Sequence, residues 1–282
     1  MTKAIITVLA LLAVAGIVAV YLSRDTDVTI TEDQSAQVNL RSYNSEAFGY
    51  SLSYPDIFEM RQYGPDNVVI GQILGESIEG VVEARVLTLT DVADGDIYTE
   101  VQDQLVLLCA AYGPSTSLSC TGVEDEQTFR TTAGTEGRQL TLRGVVEQLD
   151  TNDTSTFTKG PYFIIPLSAT SEAMRVLVIH PPLNQMSDES DADMIRQVAL
   201  SVMVRELTDD ELVMLHVRDN ISTISPHPEV LGGTFHVTEI EAQNGMGVVQ
   251  YEDGHVLFVA DFTYSISEDK EVSIETFEVR ED

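Results

Sequence analysis

The chain has 282 residues, 43% of them hydrophobic and 22% charged, with 15 Lys+Arg against 46 Asp+Glu and a formal net charge of −31. That apolar fraction is enough for a packed core. The acid excess argues against nucleic acid and against anionic lipid surfaces as direct partners, because both need clustered Lys and Arg.

Only three lysines occur, Lys3, Lys159 and Lys270. A surface rich in acid and poor in lysine suits a protein kept soluble in high salt, where self-repulsion is screened. Genomic base composition is the other source of such a bias.

Ala4–Leu22 is an unbroken apolar run with no polar face. Nineteen residues at about 1.5 Å each approach a hydrocarbon core of about 30 Å, so residues 1–22 are read as a transmembrane anchor. Lys3 flanks one end and Arg24, Asp25 and Asp27 the other. The positive-inside rule then leaves the N-terminus cytoplasmic and the bulk of the chain extracytoplasmic. A cleaved signal peptide is the competing reading, with Ala13-Val14-Ala15 as the small-residue site. Residues 23–42 are polar and acidic and read as a linker.

The next segment, 43–205, alternates strands and helices in an α+β pattern. Phe48, Tyr50, Leu52 and Tyr54 alternate with small residues and predict a strand ended by Pro55. Val68–Ile73 and Val82–Leu89 follow as strands. Asp96 can cap a helix running to Tyr112, with Ile97, Val101, Leu105 and Cys109 along one face. Phe129–Thr132 and Arg138–Gln148 predict a hairpin, and Tyr162–Leu167 and Met174–His180 two further strands. A helix over Asp188–Met203, with a capping box from Ser190 to Asp193, buries Met194, Ile195, Val198, Val202 and Met203.

Cys109 and Cys120 are the only cysteines. Outside the cytoplasm they are expected to pair if geometry allows, two free thiols being the other possibility. They lack the partners that a zinc site needs.

The aromatic opening Phe48-Gly49-Tyr50-Ser51-Leu52-Ser53-Tyr54-Pro55, the late strands through Gly160-Pro161-Tyr162-Phe163-Ile164-Ile165 and up to His180-Pro181, and the closing helix together resemble the PsbP-like α/β/α sandwich. Leu200-Ser201-Val202-Met203 matches that family's ending loosely. The resemblance implies a binding or assembly role in a family without shared catalytic residues, so no catalytic residue is carried over.

Residues 207–282 read as a separate small domain. Thr208-Asp209-Asp210-Glu211 forms a capping box before a helix bearing Val213, Val217 and Ile221. Four strands follow as a meander, with Asn244-Gly245 and Asp253-Gly254 as hairpin signals. The apolar phase switches from Val272 and Ile274 to Phe277 and Val279, which predicts a bulge near Glu275-Thr276. The less apolar strand face, with His255, Asp261 and Thr263, is the candidate partner surface.

The five histidines form no metal-ligand spacing, and no nucleotide-binding or hydrolase motif occurs. Asp91, Asp94 and Asp96 depart from the calcium-loop pattern. No catalytic, metal or cofactor-binding residue is therefore assigned, and no cofactor is expected. The function expected is a membrane-anchored, extracytoplasmic binding or assembly module without catalytic activity, with a protein partner in the envelope and no nucleic acid. A structural envelope protein and an enzyme with an unrecognised site are the alternatives.

Overall fold

Aromatic alternation builds the first hairpin. β1 (Leu40–Ser45) pairs antiparallel with β2 (Tyr50–Pro55), Leu40 opposite Pro55 and Ser45 opposite Tyr50. Tyr50, Leu52 and Tyr54 all point inward, as a period of two dictates. The structure, a computed structural model, describes residues 39–280 except 75–76, 91–95, 110, 113–115, 149, 152, 170–172, 183–188 and 230–233. The apolar run Ala4–Leu22 and most of the linker lie outside these residues. No helix among the described residues is long and apolar enough to cross a membrane. Leu40–Ser45 overlaps the stretch read as linker. Its ladder with β2 makes it a strand, although its own side chains carry little apolar period.

A large antiparallel sheet follows. Its strands are β3 (Glu59–Gly64), β4 (Asn67–Leu74), β5 (Ser77–Thr90), β6 (Ala111–Tyr112), β7 (Thr116–Arg130), β8 (Glu136–Gln148), β9 (Asp153–Ala169) and β10 (Ala173–His180). Their spatial order is β3-β4-β5-β10-β9-β8-β7-β6. Helix α1 (Ile97–Leu108) is inserted between β5 and β6. Asp96 caps it by accepting the Tyr98 amide at 3.1 Å.

Both faces of this sheet are covered. Val101 and Leu105 of α1 pack with Leu140, Leu142, Ile164, Val176 and Val178 on one face. On the other, Phe163, Ile165, Leu177 and Ile179 meet the β2 aromatics and helix α2 (Glu189–Leu200) through Ile195, Val198 and Ala199. The fold is thus α+β, mostly sheet, with three helices among the described residues. Double coverage explains why β9 and β10 read as continuous apolar runs despite being antiparallel.

Both predicted helix ends near this sheet move inward. The first helix stops at Leu108, because Ala111–Tyr112 turns back to pair with Ser117 and Leu118. Cys109 ends the helix, its amide donating to the Leu105 carbonyl at 3.0 Å. It lies at disulfide distance from Cys120 on β7, with Cα atoms 5.7 Å apart. The second helix begins at Glu189, so Ser190 sits inside its first turn and not at its cap. It stops at Leu200. The Ser201 hydroxyl donates to the Val198 carbonyl at 2.7 Å and accepts the Ser53 amide at 2.8 Å. This turns the chain into β11 (Met203–Val204), which pairs with Ser51 and Tyr50 of β2. Met203, placed on the buried stripe by sequence, is 55% exposed as a result.

Helix α3 (Asp209–Ile224) starts afresh from the Thr208–Glu211 capping box. Arg205 clasps Glu211 with two hydrogen bonds at 2.7 and 2.6 Å, and this pairing holds the Glu211 carboxyl down at about 2. The meander is β12 (His236–Gln243), β13 (Met246–Glu252), β14 (Leu257–Ile266) and β15 (Val272–Val279), in that spatial order. Asn244 and Gly245 form a two-residue turn with φ of 54° and 82°, the conformation a primed hairpin turn demands. Thr263 pairs with Thr276 and Tyr264 with Ile274, so Glu275 is the extra, bulged residue.

The meander packs Val249, Tyr251, Ala260 and Phe262 against Val213, Val217 and Ile221 of α3. The opposite side of α3 sends Leu215 into the core shared with β2 and α2. Arg175 of β10, 2% exposed, pairs with Asp219 of α3. The strand ladders of the meander are its own, while Asn39–Asp282 forms one compact unit.

Replacing both cysteines, Cys109→Ser and Cys120→Ser, should lower unfolding free energy by about 3 kcal/mol in urea titration, the loop-closure value for so short a span. Asp219→Asn should cost about 3 kcal/mol, since it strands a buried guanidinium. Adding Arg175→Met to it should recover part of that loss.

Candidate functional site

Two places gather chemistry-bearing side chains. The first is buried, on the α1 side of the large sheet. Glu83 of β5 lies directly opposite His180 of β10 in the ladder, close enough for side chains to interact. Arg85 donates to Glu83 at 2.7 Å. The His180 ring stacks on Tyr162 with centroids 5.4 Å apart. Its Nδ1 donates to the Pro181 carbonyl at 2.7 Å, which fixes the tautomer, because a carbonyl can only accept. Lys159, 2% exposed, completes the group. Burial pushes its ammonium down to about 8, against the attraction of Glu83. Burial likewise holds His180 below the usual imidazole range, with Glu83 opposing and Arg85 and Lys159 adding to the effect.

Sequence reading missed this cluster. Its residues come from β5 and from the β9–β10 hairpin far downstream, and no motif links them. The available signal was compositional: one of only three lysines, placed just before the apolar run of β9. The cluster acts on the pH dependence of folding. The unfolded chain takes up a proton at His180 below about pH 6.5 while the folded protein resists it, so stability falls as pH drops through that value. Lys159 works in the opposite window. Between about 8 and 10.5 the unfolded chain keeps a proton that the folded protein has released, so stability rises with pH there.

The second place is exposed, a groove that runs from the open face of the meander to the start of α3. The ladders set two rows of side chains across all four strands. One row is Glu241, Val248, Asp261 and Glu278; the other is Gln243, Met246, Thr263 and Thr276. A groove of about 850 Å³ is lined by these residues and by Asp210 and Met214 of α3. Met246 is 63% exposed. Arg280 grips Asp261 with bonds of 2.8 and 2.7 Å and holds its carboxyl below the usual range. Among the described residues, Glu241 and Glu278 have no such basic partner. Gly247 is required beneath Phe262: a Cβ there would meet the ring at 2.2 Å.

The structure places Asp261 and Thr263 on this face as sequence suggested. His255 is not on a strand. It lies in the turn before β14, where its amide donates to Asp253 at 3.0 Å, and it is exposed, as is His236. Among the described residues, no group of three or more His, Cys, Asp or Glu is placed to hold a metal ion. Asp91, Asp94 and Gly95 lie outside those residues.

Fold and groove together define an α+β chain, mostly sheet, with an exposed four-stranded face. No protein-family model matches the sequence, and no curated protein matches it. Among solved structures it is similar to cyanobacterial PsbP (CyanoP) from Synechocystis sp. PCC 6803, at 13% identity and a TM-score of 0.34, covering 60% of this chain and 94% of that one.

The buried cluster yields a pH prediction. His180→Phe keeps a ring stacked on Tyr162 but cannot take up a proton. Melting temperatures measured from pH 7.5 to 5.5 should fall less steeply below pH 6.5 for this variant than for the parent. Equal slopes would show that His180 does not contribute to the acid sensitivity.

Proposed function

We propose that the chain is a non-catalytic binding or assembly module, held at a membrane by residues 4–22 with its folded part on the extracytoplasmic side. In this reading residues 43–205 are a PsbP-like α/β/α sandwich and 207–282 a second domain that presents the partner surface. The observation that carries the proposal is the groove across the outer face of the meander, lined by Met246 and Val248 and bounded by acids. Exposed apolar side chains in a concave surface suit a binding site. The Cys109–Cys120 pair at disulfide distance supports an oxidising compartment. The element order β2, large sheet, α2 supports the sandwich reading.

The proposal is tested in cells with the full-length protein. A photo-crosslinking side chain at Met246 or Thr263 should give a discrete product with another protein, while the same group at Asp125 on β7 should not. The protein should stay in the membrane pellet after carbonate washing and keep its N-terminus. Release into the supernatant would reject the anchor, and indiscriminate crosslinking at all three positions would reject the surface.

A further inference from the structure

Resting on the binding reading above, we infer that the meander groove takes a cationic, amphipathic segment of another protein, with an apolar stripe bracketed by Lys or Arg. The row Glu241, Val248, Asp261, Glu278 crosses the sheet from β12 to β15. Its inner acid, Asp261, is neutralised by Arg280 through two hydrogen bonds. That leaves charge at the two margins, on Glu241 and Glu278, and apolar surface between them on Val248 and Met246. The neighbouring row adds the uncharged Thr263 and Thr276 to the floor.

The spacing sets what fits. Three inter-strand steps of about 4.8 Å separate the marginal acids by about 14 Å. A helix rises about 1.5 Å per residue and returns to nearly the same face after about eleven residues, about 16 Å, so cations about eleven residues apart on that face, with flexible side-chain stems, would meet both acids. The intervening residues would lay an apolar stripe on Met246 and Val248. Asp210 at the start of α3 lines the same groove and adds a third negative side chain. An acidic partner would be repelled by every one of these groups. A purely apolar partner would leave Glu241 and Glu278 desolvated without a counter-charge.

The whole protein carries a net charge of −31, so a basic peptide will be attracted to it generally, and the test has to separate pattern from charge. The probe is a synthetic amidated helix-forming peptide with a leucine stripe and lysines about eleven residues apart on the same face. A scrambled peptide of the same composition has no apolar face. Binding to the detergent-solubilised full-length protein is read by fluorescence anisotropy at low and high salt. The patterned peptide should bind at least about tenfold tighter than the scrambled one. Glu241→Gln with Glu278→Gln should weaken it by about tenfold and flatten its salt dependence, two exposed pairs being lost. Met246→Asp should also weaken it. Asp125→Asn with Glu147→Gln, the same change in charge on the large sheet, should leave it unaltered.

Equal binding of the two peptides, or equal loss in the control variant, overturns the inference. If the patterned peptide fails while Met246 still crosslinks to a protein segment without basic residues, the partner chemistry is wrong and the binding reading stands. If the peptide fails and crosslinking fails as well, both fall.

Discussion

Strands β9 and β10 send side chains into two cores at once. Phe163, Ile165, Leu177 and Ile179 face the aromatic hairpin and α2, while Tyr162, Ile164, Val176 and Val178 face α1. A sheet buried on both sides must be covered on both sides. That requirement places α1 on one face, puts α2 with the small β1–β2–β11 sheet on the other, and leaves room beside α2 for α3. Leu215 then docks the meander's helix on the same core. With one face of the meander packed on α3, its other face stays open, and the groove joins that open face to the start of α3.

The same double burial raises the cost of every polar group in the central strands. Arg175 and His180 both lie on β10, one on each face, and each has found a partner within the fold. Arg175 reaches Asp219 of α3. His180 is held by the Pro181 carbonyl, the Tyr162 ring and the neighbouring Glu83–Lys159 charges. These groups supply specificity of arrangement: Arg175 fixes where α3 sits, and the cluster ties β5, β9 and β10 together at one end. Charge on the meander's outer face is treated differently. There water is available, and the marginal acids can stay unpaired at little cost.

Long edge and near-edge strands were the least legible part of the fold. β7 runs from Thr116 to Arg130, but the apolar pattern predicts a strand only over its last two residues. Its middle is Gly122-Val123-Glu124-Asp125-Glu126-Gln127, mostly exposed and broken by register shifts. Such a strand exists because β8 offers a ladder from Thr116 to Arg130, not because its side chains alternate. The charges along it also protect an exposed edge from pairing with other chains. β3 and β1 escaped notice for the same reason. The helix ends were misplaced because Ala111–Tyr112 and Met203–Val204 are claimed by strands elsewhere in the fold.

What the sequence determined by itself was local. The Asp96 and Thr208 caps, the Asn244-Gly245 turn, the bulge at Glu275 and the inward faces of β2 and β14 each follow from a few neighbouring residues. Their physical causes, orphan amides, positive φ and a period of two, act over one or two turns of chain. The candidate surface was half legible, because Asp261 and Thr263 share a strand face that alternation identifies. Only the tertiary structure decided that Glu241, Val248 and Glu278 would line up beside Asp261, or that Glu83, Lys159 and His180 would meet. Those groupings depend on strand order and register, which are set by burying β9 and β10 on both faces.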